Sequence, residues 1–92
     1  MTETFKNVWD ALEDDPAARE SMKIKSRLMM DIEGYIKKQG LTQKQAAKKM
    51  GVTQPRISDL VNGKINRFTI DMLVNMLARL GVHVEMTLQD AA

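Results

Sequence analysis

Gln54 and Arg56 carry the two side chains in this sequence best shaped to read the edge of a nucleic-acid base. A glutamine amide bonds adenine N6 and N7 through one acceptor and one donor, and a guanidinium grips guanine O6 and N7 through two donors. Ser58 and Asp59 follow on the same short stretch, and Pro55 offers an apolar ring that suits a thymine methyl. Asp59 is awkward beside phosphates. It either accepts from cytosine N4 or holds Arg56 in place, and the second role fits it better. Around these five lie groups suited to a sugar-phosphate backbone: Gln43, Lys44, Thr53, Asn62, Lys64, Asn66 and Arg67. Each has an ordinary alternative, since Thr53 is also a helix cap, Asn62 a helix-end residue and Lys44 a solubilising charge.

Other chemistries have little to stand on. There are no cysteines, so disulfides and thiolate metal clusters are excluded, and His83, the only histidine, falls on a predicted strand with no serine–histidine–acid set around it. Glu13, Asp14 and Asp15 read as a helix-start cluster rather than a catalytic pair. The expectation is therefore a non-enzyme with no cofactor and no metal. Eight methionines are present, and Met29, Met30, Met72 and Met76 fall on amphipathic stretches, where adaptable packing in a core or between subunits is the plain reading.

The charge is segregated, although the formal net value is only +2. Residues 1–20 hold Glu3, Asp10, Glu13, Asp14, Asp15 and Glu20 against Lys6 and Arg19. Residues 37–67 hold Lys37, Lys38, Lys44, Lys48, Lys49, Arg56, Lys64 and Arg67 against Asp59 alone. A basic block of this kind is the electrostatic footprint of phosphate binding, and it coincides with the candidate base readers.

Positioning those readers requires short helices. At 92 residues and 43% hydrophobic, the chain has material for one small core. Asp15-Pro16 predicts a helix start, with a buried stripe of Ile24, Leu28, Ile32, Tyr35 and Ile36 and an end at Gly40. Thr42 and Gln45 form a capping box for a second helix that carries Ala46, Ala47 and Met50 and ends at Gly51. Thr53 caps a third, with Pro55 in its first turn and Ile57, Leu60 and Val61 facing inward, closing at Asn62-Gly63. Thr69 caps a fourth, with Ile70, Leu73, Val74, Leu77 and Leu80 as its stripe. After Gly81 the period changes: Val82, Val84, Met86 and Leu88 alternate with His83, Glu85, Thr87 and Gln89, as a half-buried strand does. A lone strand leaves its backbone groups unpaired, so the expected partner is its copy in a second subunit, with a segment near the N-terminus as the runner-up. The resulting expectation is a mainly α bundle of about four to five helices plus a C-terminal β-strand. It divides into an acidic N-terminal segment (1–15), a helix-turn-helix domain (16–81) and a dimerisation strand (82–92).

The N-terminal segment carries Phe5, Val8, Trp9 and Leu12 among its acids. Aromatic anchors ringed by charge suit a partner surface, and the competing reading is that Trp9 caps the domain's own core. No apolar run approaches the roughly 18 residues that span a bilayer. With an acidic N-terminus unlike a signal peptide, the expected address is the cytoplasm, with no membrane partner.

Thr42-Gln43, Ala47, the Gly51 turn, Thr53-Gln54, Ile57-Ser58, Leu60 and Asn62-Gly63-Lys64 together resemble the Cro-type, lambda-repressor-like helix-turn-helix of the XRE family of transcriptional regulators. The flanks extend the likeness. Asn7-Val8-Trp9-Asp10-Ala11-Leu12, the long helix from Ala17 to Ile36, and Thr69–Leu80 running into Gly81-Val82-His83-Val84 look like the small HigA-type antitoxins. The resemblance implies a two-fold dimer on a palindromic double-stranded operator, repression of its own operon, and neutralisation of a RelE-like toxin encoded beside it. Other relatives are stand-alone phage-type repressors, and a protein-interaction module with secondary DNA binding is a further alternative. Pro55 departs from the pattern, because that position often bears a hydrogen-bonding side chain, so base preference does not transfer.

Overall fold

The structure, a computed structural model, describes residues 15–90. Helix α1 spans Pro16–Gln39, α2 Gln43–Met50, α3 Gln54–Val61 and α4 Ile70–Arg79, with a single 3-10 turn at Ile65–Arg67 between the last two. Local chemistry fixes each start. The Asp15 carboxylate accepts from the N–H groups of Ala17 and Ala18, at 3.1 and 3.4 Å, ahead of Pro16 in the first turn. Thr42 and Gln45 close a reciprocal capping box, the Thr42 N–H donating to Gln45 Oε1 at 2.9 Å and the Gln45 N–H to Thr42 Oγ1 at 3.1 Å. Thr53 and Thr69 cap α3 and α4 in the same manner, accepting from the N–H groups of Arg56 and Met72.

One core joins the four helices. Ile32, Met50, Ile57, Leu60, Phe68 and Leu73 are its fully buried large side chains, and Leu28, Met29, Ile36, Ala46, Ala47, Met76 and Leu77 complete it. The small side chains of Ala46 and Ala47 keep α2 close to its neighbours, so α2 and α3 pack tightly together while α1 lies along α4. The turn between α2 and α3 takes its sharpness from Gly51 at φ 69, after which the Val52 N–H donates back to the Ala47 carbonyl at 3.0 Å.

Two expectations need correction. Ile24 is exposed, because the core cluster begins on α1 only at Leu28, and Tyr35 is half-buried beside the buried Ile32 and Ile36. The C-terminal β-strand is not formed: residues 82–90 have neither helix nor strand. A strand exists only as part of a ladder, and no second extended segment lies alongside among the described residues. Val84 packs against the core, while Met86 and Leu88 stand exposed. The N-terminal residues named as candidate partner surface, Phe5, Val8, Trp9 and Leu12, lie outside the described residues, as does the runner-up strand partner. No helix among the described residues is long and apolar enough to cross a membrane.

Candidate nucleic-acid interface

Thr53 turns the chain from the Gly51 corner into α3, so the first residues of that helix emerge at its free end. Gln54 and Pro55 are exposed there, and Arg56 is half-buried. Pro55 occupies the first turn, where its missing N–H breaks no helical bond. Ile57 and Leu60 anchor the opposite face of α3 in the core. The helix therefore presents Gln54 and Pro55 outward from a fixed base.

Arg56 is held by its own domain. Its Nη1 donates to the Arg67 carbonyl at 3.0 Å, and its guanidinium carbon lies 5.6 Å from the centre of the Phe68 ring. Both partners belong to the connection between α3 and α4, which folds back beside α3. That connection carries Lys64, Asn66 and Arg67, all exposed. The fold thus brings together the start of α3 and three of the expected backbone-contacting residues.

Asp59 does not hold Arg56. Its carboxylate accepts from Arg67 Nη1 at 3.4 and 3.5 Å, with the Asp59 side chain 17% exposed and that of Arg67 59%. The reason is the fold-back of the connection, which brings Arg67 within reach of Asp59 on α3. Ser58 is similarly engaged, its Oγ accepting from Asn62 Nδ2 at 3.4 Å. Thr53 spends its hydroxyl on the helix cap. Gln43 and Lys44 stand at the beginning of α2, Gln43 half-buried and Lys44 exposed, where the helix N-terminus adds its own positive end.

Two contributors escaped the sequence reading. Phe68 is 1% exposed and sits both in the core and under the Arg56 guanidinium. Lys25 reaches from α1 to donate through Nζ to the Phe68 carbonyl at 3.1 Å, tying the connection to the long helix. Only the apolar type of Phe68 next to the Thr69 cap could have signalled its role. Nothing local in the sequence links Lys25 to a residue 43 positions away.

A family model described as a helix-turn-helix domain matches residues 11–89. A solved structure provisionally assigned as an XRE-family transcriptional regulator superposes with a TM-score of 0.73 at 30% sequence identity, covering 78% of this chain and 81% of that one. No curated protein matches the chain.

Proposed function

The chain belongs to the helix-turn-helix domain family, and from that premise we propose that it is a DNA-binding transcriptional regulator of the XRE type. The observation that carries the reading is the start of α3: Gln54 and Pro55 exposed at the helix tip, with Arg56 beside them and Lys64, Asn66 and Arg67 on the adjoining connection. In this reading α3 enters the major groove, and Gln54, Pro55 and Arg56 meet base edges. The N-terminus of α2 with Gln43 and Lys44 takes one phosphate, and Thr53, Asn62, Lys64, Asn66 and Arg67 flank others. Ser58 and Asp59 act from behind the readers, since both already bond neighbours on α3 and its connection.

The proposal includes a homodimer on a palindromic operator, two α3 helices reading half-sites about 34 Å apart. Its support is the alternation of Val82, Val84, Met86 and Leu88, of which the last two are exposed apolar residues. Paired across a two-fold axis, two such segments satisfy their backbone groups and cover those side chains. The resemblance of the flanks to HigA-type antitoxins extends the reading to autorepression and a RelE-like toxin as protein partner, received through Phe5, Val8, Trp9 and Leu12. Without a toxin the same domain serves as a stand-alone repressor.

The test is fluorescence anisotropy on the DNA upstream of the gene, across a salt series, beside a scrambled duplex and the Arg56→Ala variant. Preference for the upstream DNA, reduced in Arg56→Ala by roughly 1–3 kcal/mol, is the expected outcome. Equal and strongly salt-dependent binding to both duplexes would leave only phosphate sensing.

A further inference from the structure

The first half of α1 carries a second stripe beside the one that faces the core. Arg19, Met22, Lys23, Ser26, Arg27 and Met30 follow three- and four-residue steps and line a groove of about 320 Å³. Its walls are methionine and its rim carries Lys23 and Arg27, the latter also paired with Asp31 at 3.3 Å. Met30 is 67% exposed, and Met22 is buried yet stands apart from the cluster that unites the four helices.

Immediately upstream, the sequence supplies its complement. Phe5, Val8, Trp9 and Leu12 recur at the spacing that gathers side chains on one face of a helix, and Glu3, Asp10, Glu13 and Asp14 outnumber Lys6 around them. Reach is ample. Seven residues from Trp9 to Pro16 span up to about 24 Å, whereas Ser26, ten residues into α1, lies about 15 Å from its start. A tether this short places the segment at an effective concentration in the millimolar range, so weak intrinsic affinity suffices.

We propose that residues 5–12 dock on the Met22–Met30 groove of their own chain, with the Phe5, Val8, Trp9 and Leu12 face against the methionines and the acids toward Lys23 and Arg27. Docking covers the methionine stripe and offsets the positive charge of α1, which leaves the basic field concentrated over residues 37–67. A protein partner that takes the same aromatic face has to displace it from α1, so partner binding and release of the segment are in competition.

Trp9 is the only tryptophan, so its emission and its acrylamide quenching report on this segment alone. The measurement uses the full chain, with Lys23→Glu and Met30→Asp at exposed positions that leave the core intact, and a peptide of residues 1–15 as the fully accessible reference. The expected result is severalfold slower quenching and blue-shifted emission in the wild type, with both variants moving to the peptide's behaviour at unchanged thermal stability. Quenching in the wild type equal to that of the peptide overturns the proposal. So does protection that survives both substitutions, and so does protection that disappears on dilution, which would assign the segment to a second copy.

Discussion

Arg56 is engaged before any base reaches it. One hydrogen bond to the Arg67 carbonyl and the Phe68 ring beneath it are together worth about 1–2 kcal/mol at this half-buried position. A bidentate guanine contact discriminates by roughly 1–3 kcal/mol, so under the proposed reading a base would compete with these intramolecular contacts on comparable terms. Asp59 likewise engages Arg67. The sequence points to Gln54 and Arg56 as candidate readers because Thr53 and Pro55 mark the start of a helix. It misassigned Asp59 by preferring the neighbour three residues back to a partner eight residues ahead that only a folded connection delivers. Replacing Asp59 by Asn is expected to cost about 1 kcal/mol or less, because the Arg67 end of the pair is open to solvent and Asn still accepts a hydrogen bond. The scrambled duplex should bind more tightly, because a negative charge leaves the basic face, and the upstream-to-scrambled affinity ratio should fall as Arg67 loses its register. Anisotropy on both duplexes checks this; a constant ratio would mean that Arg67 makes no positioned contact.

Among the elements, the helices were legible from their ends. Asp15-Pro16, Thr42 with Gln45, Thr53 and Thr69 each pair a side-chain acceptor with the orphan N–H groups of a first turn, a relation that spans three residues and needs no tertiary information. Extent of burial was less legible, as exposed Ile24 demonstrates, because the periodicity of α1 outruns the length of its partners. The connection between α3 and α4 had no period to read at all, yet it holds Phe68. The corner between α2 and α3 offers a test of how tightly these elements are fitted. Gly51 and Gly40 share a left-handed backbone, φ 69 and φ 64, but a β-carbon at Gly51 would come within 3.0 Å of Arg79 Nε and 3.1 Å of its Cδ, whereas at Gly40 it meets open space. Both Gly→Ala substitutions should therefore destabilise by about 1 kcal/mol or more from the backbone alone, with the larger loss at Gly51. Urea denaturation of the two variants decides it. Equal losses would mean that the Arg79 side chain moves aside without cost and that the corner is held by its backbone only.

At the scale of the whole molecule, the segment after Gly81 is where an alternating pattern finds no ladder among the described residues. Its alternation was plain in the sequence, but a ladder is a property of two segments, so the pattern could forecast a strand without supplying one. Val84 leans on the core and Met86 and Leu88, at 71% and 89% exposure, continue past it. If two copies join through this segment, each α3 is fixed relative to the other, and binding of the second half-site becomes intramolecular. Losing that coupling costs roughly 10²-fold or more in operator affinity. Removing residues 82–92 tests the idea but also takes Val84 from the core, so Met86→Asp with Leu88→Asp is the cleaner variant: both side chains are exposed, and their charges would face one another across the two-fold. The expected outcome is a monomer by light scattering at concentrations where the wild type is dimeric, with unchanged helical content and a salt dependence of binding cut by about half as the number of phosphate contacts per complex falls. A variant that remains dimeric would move the subunit contact elsewhere.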